Sequence, residues 1–305
     1  MSSSPPSSPA LAAKVVAALL LALVAAGLLS ATANARAVVG VGESSYRMFY
    51  DQRFQQLGVT TVRIVLPYDY QSRRFDKARY EPYLMAARAQ HKDVFVHFAH
   101  SNRPRKLRTL PSVRAYRRAV AAFAKAHPWV TSYGVWNEAS HNSQPTYRNP
   151  RRAARYATVL HRAIPKAKHI VVLDVLDGRR LAGYTRAFRR FYSLRSRKDV
   201  WGLHNYDDAN VSHTPRYTRA YLRLVPGKVW ITETGGIIRS KHRHYGVKAA
   251  ARATKTALRI ATVSRRVKRV YFYHWVRNPR NYWDSAFIGA NGAPRPAYRI
   301  FKHAL

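Results

Sequence analysis

The chain of 305 residues contains no cysteine. Disulfide bonds, thiolate nucleophiles and cysteine-ligated zinc are therefore excluded, and a domain of this length relies on its hydrophobic core for stability. Acidic residues are also scarce, because 14 Asp and Glu stand against 54 Lys and Arg, which gives a formal charge of +40 at pH 7. No zinc-finger spacing, aromatic RNA-binding signature or glycine-rich phosphate loop accompanies this charge. It is therefore weak evidence for specific recognition of nucleic acid.

The first 36 residues have the order of a secretory signal peptide. A polar stretch that carries Lys14 precedes an apolar run over residues 15–29, and small residues follow at Ala33 and Ala35. The apolar run is shorter than the roughly 20 residues that a membrane span needs, and an uncleaved signal anchor is the alternative. We therefore predict a signal peptide over residues 1–36, a secreted protein, and a single domain over residues 37–305.

Loss of Lys14 lowers the formal charge only from +40 to +39, and loss of the whole segment 1–36, which also contains Arg36, lowers it to +38. One interpretation is electrostatic association with an anionic cell-wall polymer or an acidic polysaccharide. Because the basic residues are scattered along the whole chain, a biased composition is the alternative that we favour. If the charge does attract a polyanion, that binding is expected to weaken steeply with salt.

Eight apolar, β-branched runs alternate with amphipathic segments along the mature chain. The runs cover residues 37–42, 61–67, 93–99, 130–138, 169–176, 200–206, 228–233 and 269–275. Helices are predicted between them, for example over residues 111–127, 150–164 and 247–263. Eight strands with interleaved helices in about 270 residues predict a (β/α)8 barrel. An open doubly wound sheet is disfavoured because no glycine-rich turn follows the first strand.

Two of the four glutamates, Glu138 and Glu233, end such runs. Glu138 closes the fourth run in the string GVWNEAS, and Glu233 closes the seventh in VWITETGG. Barrel enzymes place their active sites at the carboxyl ends of the strands. Two carboxylates at one barrel mouth are the pair that glycoside hydrolysis requires, one as general acid/base and one as nucleophile or base.

Further polar and aromatic side chains are predicted to reach the same mouth. They are Arg63 on the second run, His97 and His100 at the end of the third, Asn137 beside Glu138, His204 and Tyr206 on the sixth, and Trp275 on the eighth. The histidines offer a metal site as an alternative. Because no carboxylate at a metal-site spacing joins them, neither a metal nor another cofactor is predicted.

In this order, the residues resemble those of clan A glycoside hydrolases, a superfamily of retaining (β/α)8 enzymes that includes cellulases, β-mannanases and β-xylosidases. In that clan an Asn-Glu pair ends the fourth strand, which resembles Asn137-Glu138, and the nucleophilic Glu that ends the seventh strand resembles Glu233. The resemblance covers nearly the whole mature chain. It implies a secreted retaining glycosidase that cleaves β-linked O-glycosidic bonds of a polysaccharide or oligosaccharide, with Glu138 as acid/base and Glu233 as nucleophile.

The surrounding residues then have expected roles. Arg63 and Tyr206 would hold Glu233 ionised, Asn137 would bond the 2-hydroxyl of the sugar, and His204 would donate to substrate or to a glutamate. His97 or His100 matches a histidine near the clan's third strand, and Trp275 would stack beneath the sugar, with a barrel-rim packing role as its alternative. As an acid, Glu138 needs a raised pKa, which we expect from burial beside Trp136 and from the charge of Glu233.

A function of a different class is the alternative to the glycosidase. In this interpretation the chain is a catalytically lapsed, strongly basic barrel protein that binds an anionic cell-wall polymer or nucleic acid. The completeness of the predicted site favours the enzyme. Tyr68 and Tyr70, and Tyr282 and Trp283, are interpreted either as additional sugar subsites or as aromatic residues that pack the loops. Glu43 follows the first strand and could contact substrate.

Overall fold

The computed structural model describes residues 37–194 and 196–305, and the predicted signal peptide lies outside them. Eight parallel strands close into a barrel, each paired with the next in the chain until the last pairs with the first. The strands are β1 Val38–Gly42, β2 Thr61–Pro67, β3 Asp93–Ala99, β4 Ser132–Gly134, β5 His169–Leu176, β6 Asp199–His204, β7 Lys228–Thr234 and β8 Val267–Tyr273. The predicted (β/α)8 barrel is therefore confirmed.

One α-helix follows each strand. The helices are α1 Gln52–Gln56, α2 Arg74–Ala89, α3 Val113–Ala126, α4 Pro150–Ala163, α5 Leu181–Phe191, α6 Arg216–Leu224, α7 Val247–Ile260 and α8 Pro296–Ala304. Side-chain caps set two of the starts, because Ser112 accepts a hydrogen bond from Ala115 N and Asn149 accepts one from Arg152 N. Across the described residues, none of the helices has the length and apolarity that a membrane crossing requires.

An aromatic and aliphatic layer fills the inside of the barrel. It consists of Phe95, Val171, Val200, Trp230 and Tyr271. The ring centroid of Phe95 lies 5.3 Å from that of Trp230 and 5.5 Å from that of Tyr271. A larger apolar core separates the barrel from its helices. Polar side chains further along the strands therefore stand on a packed floor.

Strands β5 and β7 depart from regular register. The pairing of β5 with β6 shifts between Val171 and Leu173, and that of β7 with β8 shifts between Ile231 and Thr234. Side chains of a regular strand alternate between its two faces, and a bulge breaks that alternation. Val171 and Asp174 consequently both face the interior of the barrel, although they are three residues apart. On β7 the adjacent residues Thr232 and Glu233 both contact interior groups.

Strand β4 is shorter than the predicted run over residues 130–138, since it ends at Gly134. The chain beyond it still bonds to its neighbours, with Asn137 N donating to Phe98 O at 2.7 Å and Ala139 N donating to Asp174 O at 2.9 Å. The segment that carries Glu138 is thus held between β3 and β5 without belonging to a strand.

Candidate active site

A cleft of about 930 Å³ opens at the carboxyl ends of the strands. Five of the sequence-predicted site residues line it: Arg63, Asn137, Glu138, Tyr206 and Glu233. The segments that follow β1, β4, β5, β6, β7 and β8 contribute most of the other lining residues. The structure therefore brings together, in one open space, residues that are up to 170 positions apart in the chain.

Glu233 is held by two donors. Its Oε2 lies 2.6 Å from Arg63 Nη1, and its Oε1 accepts a hydrogen bond from the Tyr206 hydroxyl at 3.0 Å. Arg63 is 1% exposed. Burial lowers the pKa of Arg63, but the charges of Glu233 and Asp174 raise it above its ordinary value, so the guanidinium remains charged. This charge-assisted pair fixes the orientation of the Glu233 carboxylate.

Glu138 has a backbone φ of 50°, in the left-handed region that a residue with a side chain seldom adopts. Such a conformation costs about 1–3 kcal/mol and persists where surrounding contacts hold it. Here the Glu138 amide donates to Asp174 Oδ2 at 2.9 Å, while its carboxylate Oε1 lies 3.3 Å from His204 Nδ1. The strained backbone directs the side chain into the cleft.

The protonation of Glu138 differs from the sequence-based expectation. Burial raises its pKa, but the hydrogen bond and positive charge of His204 lower it, and the net pKa is below the ordinary value. Trp136, which was expected to provide apolar burial, stacks on Tyr156 at 5.4 Å and donates to Gln144 at 3.1 Å outside the cleft. The prediction of a raised Glu138 pKa is therefore wrong for the free protein.

His204 holds the proton instead. Burial lowers the pKa of its imidazole, but the charges of Asp174 and Glu233 and hydrogen bonds to Asp174 and Glu138 raise it to about 10. Its Nε2 lies 3.0 Å from Asp174 Oδ2, and Arg63 Nη2 is 3.4 Å from the same ring nitrogen. His204 is thus an imidazolium that bridges a buried carboxylate and the carboxylate of Glu138.

Asp174 was not among the sequence-predicted residues. It is fully buried on β5 and accepts hydrogen bonds from Thr232 Oγ1 and from the Glu138 amide, in addition to its pairing with His204. Burial raises its pKa, but the charge of His204, that of His97 once it is protonated at acid pH, and that of Arg63 lower the pKa well below the ordinary range. The available signal was a carboxylate inside the otherwise apolar string HIVVLDVL.

Two glycines make room for these groups. A Cβ atom on Gly134 of β4 would lie 2.1 Å from the ring of His97, and one on Gly202 of β6 would lie 2.5 Å from Asp174 Oδ1. Real Cβ atoms do not approach other heavy atoms so closely. Glycine at these two positions is therefore part of how the sequence accommodates polar side chains inside the barrel.

Of the two histidines near the end of β3, only His97 belongs to the site. It is buried, its Nδ1 lies 3.3 Å from Arg63 Nη2, and its Nε2 lies 4.0 Å from Asp174 Oδ2. Burial lowers the pKa of His97 to about 3, so the ring is neutral. His100 follows the strand, lies outside the cleft and has its Nδ1 3.0 Å from Ser101 O. The alternative metal site of His97, His100 and His204 is therefore not assembled.

The structure also corrects the prediction that Trp275 stacks beneath a sugar. Strand β8 ends at Tyr273, which lines the cleft, and Trp275 turns away into the packed layer outside the barrel. There its Nε1 donates to Asp51 Oδ2 at 3.0 Å, and its ring centroid lies 5.3 Å from that of Phe54. Trp275 is a barrel-rim packing residue, as the alternative interpretation had it.

The expected aromatic subsites divide in the same way. Tyr68 and Tyr70 are buried outside the cleft, whereas Tyr282 and Trp283 line it. Glu43 also lines the cleft, but its oxygens accept backbone hydrogen bonds, including one from Trp275 N at 3.0 Å. Glu43 thus joins the loops after β1 and β8, and its bonds leave it little capacity for substrate.

The reactive geometry is compact. One carboxylate oxygen of Glu138, one of Glu233 and one ring nitrogen of His204 all lie within 4.8 Å of one another. Retaining glycosidases hold their carboxyl groups about 5–5.5 Å apart, whereas inverting enzymes need about 6.5–9.5 Å. The same three atoms are close enough to bind a metal ion. However, a metal ion binds neutral imidazole, and His204 would first have to lose the proton that its raised pKa retains.

Solved structures share this fold at low sequence identity. A family 39 glycoside hydrolase from Bacteroides cellulosilyticus WH2 is 15% identical with a TM-score of 0.61, over 89% of this chain and 64% of that chain. A GH5 xyloglucanase from Bacteroides ovatus, solved in complex with a XXXG heptasaccharide, is 13% identical with a TM-score of 0.56, over 88% and 74% of the two chains. A β-glucosidase from Thermotoga maritima is 11% identical with a TM-score of 0.55, over 85% and 86%.

These similarities confirm the barrel fold, and the family 39 enzyme and the GH5 xyloglucanase that share it are glycoside hydrolases. This chain spans 64% of the family 39 chain and 50% of a β-glucuronidase chain from an uncultured Clostridium species. No protein-family model and no curated protein sequence matches the chain.

Proposed function

We propose that the protein is a retaining glycoside hydrolase, with Glu138 as general acid/base and Glu233 as nucleophile. The observation that carries this proposal is the pair of carboxylates within 4.8 Å at the barrel mouth, each in a different environment. Arg63 and Tyr206 bond to Glu233, and His204 faces Glu138. The neighbouring structures support the same class of reaction, since they are named as glycoside hydrolases, a xyloglucanase and a β-glucosidase.

In the first step, a Glu233 carboxylate oxygen attacks the anomeric carbon while Glu138 transfers a proton to the leaving oxygen. The bond between that carbon and the leaving oxygen breaks, the alcohol departs, and an ester forms between the sugar and Glu233. The bonds from Arg63 and Tyr206 hold the carboxylate of the nucleophile in position for this attack.

The proton for the first step comes from the pair of Glu138 and His204, which shares one proton across 3.3 Å. In the free protein the proton is on the imidazole. As substrate displaces water from the cleft, the charged form of Glu138 loses solvation, and transfer from His204 Nδ1 to the Glu138 carboxylate becomes less unfavourable. Glu138 then delivers the proton to the leaving oxygen.

In the second step, water attacks the anomeric carbon and gives a proton to Glu138, and the ester bond to Glu233 breaks. Asn137 assists both steps by binding the sugar 2-hydroxyl. Its Oδ1 accepts a hydrogen bond from Arg63 Nη2 at 2.5 Å, which leaves the side-chain N–H groups to donate to substrate. The pair returns to its starting protonation when His204 recovers the proton.

The test is a hydrolysis screen on soluble β-glucans, mannans, xylans and galactans. Glu138→Gln and Glu233→Gln should each lower turnover by about a hundredfold or more. Glu81→Gln is the matched control, because it removes a glutamate that bonds to Tyr70 and His127 outside the cleft. Proton NMR of the first product should show retention at the anomeric carbon. Unchanged turnover by Glu233→Gln would contradict the assignment, and inversion would contradict the double displacement.

The lapsed-enzyme alternative has its own outcome in this screen. It is supported if no polymer is cleaved while an anionic polymer binds tightly and the binding weakens with salt.

We also propose that the protein is exported, on the basis of the polar, apolar and small-residue order of residues 1–36. Mass spectrometry of the protein from culture supernatant should find an N-terminus near residue 37. A full-length chain retained in the membrane fraction would instead support the signal anchor.

A further inference from the structure

A second cavity, of about 770 Å³, adjoins the cleft where the loops after β7 and β8 meet. Four residues line both spaces: Ser240, Lys241, Asn281 and Tyr282. We refer to this second space as the loop cavity. A glycan chain that leaves the cleft on this side passes directly into it.

Backbone hydrogen bonds hold the two loops together. Ile238 N donates to Asp284 O at 2.7 Å, and Asp284 N donates to Arg239 O at 2.8 Å. Within the first loop, Ser240 N donates to Arg243 O at 2.8 Å. The side chains around the loop cavity therefore project from a backbone whose position relative to the cleft is fixed.

Three exposed cations line the loop cavity: Arg239, Lys241 and Arg280. Asp284 is the sole acidic residue in the two loops, residues 235–246 and 274–295. Its carboxylate lies 2.6 Å from Arg295 Nη1 and 3.3 Å from Arg277 Nε, so it is already neutralised. Among residues 37–194 and 196–305, the three cations of the loop cavity form no ion pair with a carboxylate. Their charge is available to a ligand.

Two acidic residues also line the cleft. Asp177 and Asp207 line it after β5 and β6. Burial and repulsion from neighbouring carboxylates raise the pKa of both groups, although the charge of Arg243 opposes this for Asp207. A raised pKa leaves these carboxyl groups less ionised than ordinary ones, so they repel an anionic sugar less than two charged carboxylates would.

Two aromatic side chains lie between the two proposed catalytic glutamates and the cations of the loop cavity. The Trp283 ring lies 5.0 Å from that of Tyr206, which bonds to Glu233, and Tyr282 next to it is 62% exposed. Exposed aromatic faces stack on the apolar faces of sugar rings, and cations bind carboxylate, sulfate or phosphate groups. An anionic sugar in the loop cavity would therefore meet both an aromatic face and a cation.

We propose that the loop cavity is a subsite for an anionic sugar residue, so that the preferred ligand is a glycan bearing carboxylate, sulfate or phosphate groups. The direction of the chain through the cleft rests on the proposed glycosidase function. The subsite itself binds whether or not turnover occurs, so a binding measurement separates the two proposals.

The test uses calorimetric titration of the full-length Glu233→Gln protein in about 0.15 M NaCl, where long-range charge effects are screened beyond about 8 Å. The probes are cellohexaose, its C6-carboxylated counterpart and its sulfated counterpart. Adding Lys241→Ala and Arg280→Ala should weaken binding of a charged hexamer by about tenfold or more and leave cellohexaose within about twofold. The sulfated and carboxylated probes together show which anionic group the subsite prefers.

The matched control adds Arg117→Ala and Arg118→Ala, which remove the same charge from the exposed face of α3. This control should change binding of every probe by less than about twofold. Equal weakening by the two double variants would overturn the proposal, because it would assign the binding to the overall charge of the protein. The proposal also fails if neither charged hexamer binds better than cellohexaose.

Discussion

Replacing Asp174 with Asn tests whether His204 is the proton reservoir of the site. Asp174 Oδ2 lies 3.0 Å from His204 Nε2 in a buried pair. Opposite unit charges about 4 Å apart interact by about 4 kcal/mol at an effective dielectric constant of about 20, and one pKa unit corresponds to about 1.4 kcal/mol. Loss of the Asp174 charge should therefore move the protonation of His204 by about 2 to 3 pH units.

The sign follows from the direction of the His204 shift. Its pKa is raised to about 10, so the proton shared with Glu138 is present below that pH and lost above it. Without the Asp174 carboxylate, the imidazolium is less stable and the proton is lost at lower pH. The alkaline limb of the plot of kcat/KM against pH should move down by about 2 to 3 pH units in Asp174→Asn.

The assay compares two glycosides that differ in leaving group. An alkyl glycoside needs protonation of the leaving oxygen and should show the shift, whereas a dinitrophenyl glycoside needs little acid catalysis and should not. Thr232→Val is the control, because it removes a hydrogen bond to Asp174 without removing charge. An alkaline limb that stays in place in Asp174→Asn, or moves equally in Thr232→Val, would refute the reasoning. Nitrogen NMR of His204 reports its protonation without any need for turnover.

Three further tests address other parts of the structure. Tyr206→Phe removes a donor to the Glu233 carboxylate, worth about 1.5–3 kcal/mol, so kcat/KM should fall about 10- to 100-fold. Trp283→Ala should raise KM for oligosaccharides, whereas Trp275→Phe should leave KM unchanged and lower the thermal midpoint by about 2–4 °C. The folded-state pKa of Asp174 is depressed, so its stabilisation is present above its unfolded pKa of about 3.9 and is lost as pH falls from there towards the folded-state pKa. Urea unfolding between about pH 5 and 2 should show this loss, and Asp174→Asn should reduce it.

The two proposed catalytic glutamates were predictable because their position follows from architecture. In a parallel barrel the carboxyl ends of all strands lie at the same mouth. Glu138 and Glu233 therefore converge there even if a strand ends a residue or two away from its predicted position. Strand β4 ends at Gly134, earlier than the predicted run over residues 130–138, and Glu138 nevertheless lines the cleft. Scarcity of acidic residues in a chain of charge +40 drew attention to both.

The residues that the sequence analysis misplaced or missed depend on local departures from regular strands. The shift between Val171 and Leu173 turns Asp174 inward, and regular alternation does not predict such a bulge. Trp275 lies outside the cleft because β8 ends two residues earlier, at Tyr273. The loop cavity depends on how two long loops pair with each other, which strand periodicity does not specify.

The charge balance of the site differs from that of the whole protein, and this difference bears on catalysis. The reactive cluster holds three carboxylates, Asp174, Glu138 and Glu233, against two cations, Arg63 and protonated His204. His97 beside them is neutral. The cluster is therefore net negative, although the chain carries a formal charge of +40. Glycoside cleavage develops positive charge on the sugar ring, and at physiological salt the field of distant surface cations is screened within about 8 Å. In the proposed mechanism, the net negative cluster would therefore stabilise that transition state, and the exposed cations of the loop cavity would bind an anionic part of the same glycan.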